Sequence, residues 1–104
     1  MTVPDLADRL SLTPSRVRRL IEDHHLLAVR RDGILSVPEV FLDEEGPLPE
    51  LRGTAILLAD SGYTNDEAMH WLLEPDDSLG VAPIDALLAG RKAEVRRVAQ
   101  ALAF

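Results

Sequence analysis

Arg16, Arg18, Arg19, Arg30 and Arg31 fall within sixteen residues of one another and are the side chains of this sequence best suited to holding a ligand. A guanidinium is permanently charged and offers a planar fork of donors, which pairs with a phosphate or with the O6 and N7 edge of guanine. Thr13 and Ser15 stand just ahead of the first three, at a helix start, where hydroxyls cap the helix and free backbone amides attract an anion. At about 100° per residue, Ser15, Arg18, Arg19 and Glu22 share one helix face with Arg16 on its flank, while Val17, Leu20 and Ile21 share the other. Two readings fit the cluster. It is a surface for polyanions, or it is a solvated helix face followed by a turn whose arginines serve solubility.

Other chemistries find no support. With no cysteine, disulfides, thiolate zinc sites and cysteine nucleophiles are excluded. His24 and His25 stand at a helix end, where imidazole complements the helix dipole; His70, beside Trp71, has no partner at metal-ligand spacing and is expected to be partly buried. Asp43-Glu44-Glu45 and Asp76-Asp77 read as solvated loops. No glycine-rich phosphate loop, nucleophile elbow or metal motif occurs, so neither an enzyme nor a cofactor is expected. No apolar run approaches the roughly 20 residues that cross a bilayer, and Met1–Asp5 does not open a signal peptide. The expected setting is the cytoplasm, away from membranes.

The chain has 104 residues and a formal net charge of −7, which taken alone argues against a nucleic-acid partner. The distribution reverses that argument. Residues 1–41 hold six arginines against six acids; residues 42–104 hold four arginines and one lysine against twelve acids. A local basic patch therefore sits on an acidic body.

The elements that must position the arginines can be read from caps and periodicity. A short helix is expected over Pro4–Leu10, a break at Ser11-Leu12, and a second helix from the Thr13-Pro14 start signal to Asp23. Ala28–Arg31 and Ile34–Val37 flank Asp32-Gly33, a type I′ hairpin signal. Helix, turn, helix and hairpin in that order describe a winged helix-turn-helix. Leu42–Pro49, acidic and broken by Gly46, Pro47 and Pro49, reads as a connector. Beyond it, helices are expected over Pro49–Ser61 with Gly62 as cap, from the Thr64–Glu67 capping box through Leu73, over Pro83–Ala89, and over Arg91–Ala103. Leu6, Leu10, Val17, Leu20 and Ile21 form an apolar seam that the Leu51–Leu58 helix is expected to cover, with Trp71 and Leu72 anchoring the same core.

Leu6-Ala7, Leu10, Leu12–Ile21 and Leu27–Arg31 together resemble excisionase-like winged helix-turn-helix DNA-binding domains. Gly62-Tyr63, Trp71-Leu72, Pro75-Asp76, Ser78-Leu79, Pro83, Asp85–Leu87 and the ending Val98–Ala101 with Ala103 resemble a small actinobacterial DNA-binding family, in which such a domain precedes a helical C-terminal domain. The same Trp-Leu and Pro-Leu spacing is loosely similar to the toxin-binding domains of bacterial antitoxins. Ser11 stands where the tight turn of such folds often has glycine, and the chain begins almost at its first helix, so an N-terminal tail of relatives has no expected counterpart.

The expectation is thus a mainly α protein with a two-stranded β wing: a DNA-binding unit over residues 1–41, a connector over 42–49 and a helical unit over 50–104 packed on the first. Its expected work is the binding of double-stranded DNA at the nucleoid, by way of Thr13, Ser15, Arg16, Arg18, Arg19, Arg30 and Arg31, as a regulator or nucleoid-associated factor. The alternative is an antitoxin-like protein-interaction module in which residues 50–104 hold a partner or a second copy and affinity for DNA is weak or vestigial.

Overall fold

In the computed structural model, which describes residues 1–102, helix α1 (Val3–Leu10) starts at a capping box beyond the one expected from the sequence. Thr2 Oγ1 accepts from the Asp5 amide at 3.3 Å, and the Asp5 carboxylate accepts from the Thr2 amide at 3.1 Å. Thr2-x-x-Asp5 is its signal. The helix stops because Ser11 turns left-handed, at φ 55°, so that its amide reaches Asp8 O and the Leu12 amide reaches Ala7 O. A serine thus does here what glycine does more cheaply.

Helix α2 (Pro14–Glu22) is capped by Thr13, whose Oγ1 accepts from the Arg16 amide at 3.2 Å. It ends by the same device: His24 is left-handed, at φ 65°, and the His25 amide returns to Leu20 O at 2.9 Å. Leu26, Leu27 and Ala28 then drop into the core before strand β1 (Val29–Arg31). Asp32 at φ 52° and Gly33 at φ 80° form the expected type I′ turn into β2 (Ile34–Ser36). The two strands are antiparallel, with Arg30 opposite Leu35 and Arg31 opposite Ile34. On the other side of β2, Thr2 bridges Ser36 and the Val37 amide donates to Met1 O at 2.8 Å.

The stretch expected as a plain connector has structure of its own. A 3-10 turn (Glu39–Phe41) leads into a small hairpin, β3 (Leu42–Asp43) and β4 (Gly46–Pro47). Its turn is fastened by the Glu45 amide on Asp43 Oδ1 at 2.8 Å, and buried Leu42 and Leu48 pin it to the core. Acidic residues at the turn and prolines around it conceal the two leucines that do the pinning.

Four helices follow: α3 (Pro49–Asp60), α4 (Asn65–Leu73), α5 (Pro83–Leu88) and α6 (Lys92–Ala101). Gly62, at φ 92°, closes α3 as expected. Thr64 and Glu67 exchange both bonds of the expected capping box at the start of α4. The expected end of the last helix, Ala103, lies outside the described residues. The architecture is mainly α, a winged helix-turn-helix with a two-stranded wing followed by helices.

Buried side chains form one continuous cluster that runs from Val3 to Ala99. Phe41 is its largest fully buried member, and Leu6, Val17, Leu51, Leu58, Leu72 and Val95 are fully buried as well. Leu51 and Leu58 are fully buried, but α3 packs chiefly on α6, α4 and α5 rather than on the expected seam of α1 and α2. Three further expectations need correction. Val17 is the only buried residue of α2, while Leu10, Leu20 and Ile21 sit at the edge of the core, half-buried. Trp71 is also half-buried, because Ala68, Met69 and Leu72 take the inward face of α4 and Trp71 falls beside that face. His70 is exposed, not partly buried.

Candidate nucleic-acid interface

α2 reaches the surface along most of its length because only Val17 is needed inside. Ser15, Arg16, Arg18 and Arg19 are all exposed. Among the described residues none of the three arginines donates to a carboxylate or a carbonyl, so their charges serve no internal contact. Thr13 is committed to the cap; Ser15 stands free in the first turn.

Packing of α1 on α2 and the return of the wing bring distant residues into one cleft of about 300 Å³. Arg18 and Arg30 line it with Thr2, Pro4, Gly33 and Ile34. Arg30 also reaches back over the turn, Nη1 donating to Gly33 O at 3.3 Å, which holds its guanidinium at the wing tip. Ile34, paired with Arg31 across the hairpin, is 57% exposed, an apolar side chain at the tip that the core does not use. Arg16 and Arg19 line a second hollow, about 470 Å³, with Leu12, Asp23 and His25.

Arg31 is not part of either cleft. Successive residues of a strand point to opposite faces, so Arg31 lies with Val29 and Ser36 on the far side of the wing, against Met69 and Leu73 of α4. The structure therefore separates two arginines that the sequence places side by side. It also sets apart the remaining N-terminal arginine. Arg9 pairs with Glu39 at 3.5 Å and donates to Asp43 O at 3.3 Å, tying α1 to the 3-10 turn and β3.

One further cation belongs near α2. Arg52 of α3 donates from Nε to Asp23 O at 3.0 Å, at the end of α2 where the helix dipole favours a positive charge. Sequence spacing carries no sign of this tie, since Arg52 and Asp23 are 29 residues apart. The contact fixes the exit of α2 against the C-terminal half.

Electrostatically the surface is a set of unneutralised guanidinium groups on one helix and one wing tip. Such an arrangement can engage regularly spaced phosphates while presenting a helix narrow enough for a major groove. Among the described residues no three His, Asp or Glu side chains gather as a metal site, and no helix is long and apolar enough to cross a membrane.

Comparison with known proteins agrees in both halves. Residues 1–42 match the family model described as DNA-binding protein Rv2175c, wHTH domain, and residues 48–103 match the Rv2175c C-terminal domain of unknown function. The chain is 36% identical to the DNA-binding protein Rv2175c of Mycobacterium tuberculosis (strain ATCC 25618 / H37Rv) over 115 residues, covering 98% of this chain and 79% of that protein. The NMR structure of Rv2175c superposes with a TM-score of 0.88 at 35% identity, over 99% of this chain and 80% of that one. With both halves matched in order and nearly the full length aligned in sequence and in space, the chain belongs to the Rv2175c family of winged helix-turn-helix proteins.

Proposed function

We propose that this protein binds double-stranded DNA, with α2 in the major groove and the wing on the adjoining backbone, and that it acts as a transcriptional regulator or nucleoid-associated factor. In this reading residues 1–41 touch the DNA, while residues 42–49 and 50–104 complete the core that holds α2 in place. The observation that carries the proposal is the set of three exposed, unpaired arginines on α2, one of which, Arg18, shares a cleft with Arg30 of the wing. The name of the mycobacterial relative supports the same activity.

Roles divide by position. Arg16, Arg18 and Arg19 are placed to read base edges or grip phosphates from α2. Arg30 is placed for a phosphate between α2 and the wing, and Ser15 with the first amides of α2 for another. Arg31 contributes a more distant charge.

Binding of the pure protein to labelled genomic fragments, at low and moderate salt, tests the proposal. Arg18→Ala with Arg19→Ala should abolish preference for the best fragment, at about 1–3 kcal/mol for each base edge no longer read. Equal binding of every fragment by parent and double variant would show that α2 does not read the sequence.

A further inference from the structure

The C-terminal half carries a groove of about 560 Å³ of quite different character, built from α4 and the segments at its two ends. Tyr63 and Trp71 supply aromatic surface; Asp66, Glu67, Glu74 and Asp76 supply four carboxylates, and no lysine or arginine lines it. We infer that this groove binds a basic segment of a partner protein, seating an arginine or lysine side chain against Trp71 and Tyr63 with the carboxylates around the cation.

Two components, the face of Trp71 and the Glu74 carboxylate, have chemistry that the fold does not consume. Trp71, the only tryptophan, stays half-exposed although Leu72 beside it is fully buried. Its Nε1 donates to Asp76 Oδ2 at 3.3 Å, which fixes the indole as a wall. The face of a tryptophan attracts a cation through its quadrupole, arginine most often. Glu67 is tied to the Thr64 amide, and that bond holds its carboxyl below the usual range, so it stays ionised. Glu74 has no such employment. It caps the C-terminal end of α4, where the helix dipole disfavours a negative charge, and among the described residues it accepts no hydrogen bond and forms no ion pair. Glu74 lines the same groove as Trp71 and is open to a cation from outside.

Charge also selects among occupants. Four carboxylates repel a phosphate backbone, so the groove is no extension of the arginine surface. A basic occupant here is independent of DNA binding at α2.

Because Trp71 lies in the groove, its fluorescence reports occupancy directly. The probe is an acetylated, amidated tetra-arginine peptide titrated into the full chain at pH 7.5. A saturable change in emission is expected, with backbone amide shifts confined to residues 63–76 in a nitrogen-edited NMR spectrum. Asp66→Asn with Glu74→Gln should weaken binding about tenfold, while Glu44→Gln with Glu45→Gln, an equal change of charge in the β3–β4 turn, should leave it unaltered. The far-ultraviolet circular dichroism of both variants shows whether they are folded, and the shift map of the unaltered protein stands without them. Equal weakening in both variants would reduce the effect to general attraction by an acidic protein and overturn the inference. So would an absent or unsaturable response, a shift map outside residues 63–76, the same response to duplex DNA, or a Trp71 signal that changes on dilution alone and so assigns the groove to a second copy.

Discussion

The two ends of this small protein treat charge in opposite ways. In α2 and the wing, arginines stand unpaired on the surface and neighbouring acids are few. In α4, carboxylates gather around aromatic rings and cations are absent. Each place has charged groups with no internal partner among the described residues, Arg16, Arg18 and Arg19 on α2 and Glu74 in the groove, whereas Arg9 with Glu39, or Arg91 with Glu94, are paired within the fold. A net charge of −7 describes neither surface. Charge predicts a partner only after the internally committed groups have been set aside.

The two surfaces share one body, and removing part of the common core is the most severe way to part them. Leu51→Ala should cost about 2–5 kcal/mol, since Leu51 is fully buried. Both halves should then unfold together at lower urea, with Trp71 emission and far-ultraviolet circular dichroism giving coincident midpoints. Well-separated transitions would mean that the two surfaces belong to independent modules.

Equal charge changes on the two halves sharpen the contrast. Arg18→Ala with Arg30→Ala should reduce the dependence of log binding constant on log salt by about two units, one for each phosphate no longer neutralised. Removing Lys92 and Arg97, both exposed on α6, should leave the slope nearly unchanged. Arg31→Ala should fall between, because Arg31 lies on the far face of the wing.

Trp71 offers a smaller effect. A half-exposed ring that walls a groove should cost only about 1–3 kcal/mol when cut to alanine, less than Leu72→Ala at about 2–5 kcal/mol, both measured by urea midpoint. A larger loss for Trp71 would return it to the core. Smaller still, Ser11→Gly and His24→Gly should each raise stability by about 0.5–1 kcal/mol, because each relieves a left-handed residue with a side chain. Thermal unfolding of the single variants checks this. No gain at either position would mean that the side chain holds its bend.

The mildest effect is on acid sensitivity. The Asp5 and Glu67 carboxyls lie below their usual range, chiefly through the bonds they accept from the Thr2 and Thr64 amides. A carboxyl lowered in the folded state adds stability above its unfolded pKa and loses it as pH falls through the folded value. The melting temperature should therefore fall below about pH 4, and Asp5→Asn with Glu67→Gln should flatten that fall.

Much of the fold is legible because its punctuation is local. Thr13-Pro14, Asp32-Gly33, Gly62 and Thr64–Glu67 each carry their backbone preference within a few residues, and each does in the structure what the sequence predicts. Positions decided by distant partners are less legible. Leu42 and Leu48 pin a hairpin inside an acidic stretch, and Trp71 loses the core to Met69 and Leu72, whose neighbours come from other elements. At the arginine surface the residue types are legible, but their grouping is not. Strand alternation, packing of α1 on α2 and the Arg52–Asp23 tie decide that Arg18 meets Arg30 and that Arg31 does not. The acidic groove is concealed for a related reason, since Glu67 reads as a capping residue and Asp76 as a solvated loop, with nothing local to bring them together.

Met1 and Thr2, by bonding to Val37 and Ser36, occupy the outer side of β2 and make the first two residues a seal on the wing. A hairpin that projects from a protein normally offers two open edges, and each is a template on which another chain can add a strand. Here Met1 and Thr2 pair with the Ser36–Val37 end of one edge. The other belongs to β1, the strand that carries Arg30 and Arg31, whose charges repel their own copies. The wing is thus guarded on one side by backbone and on the other by electrostatics. A surface that must stay exposed to meet a polyanion is in this way kept from aggregating with itself.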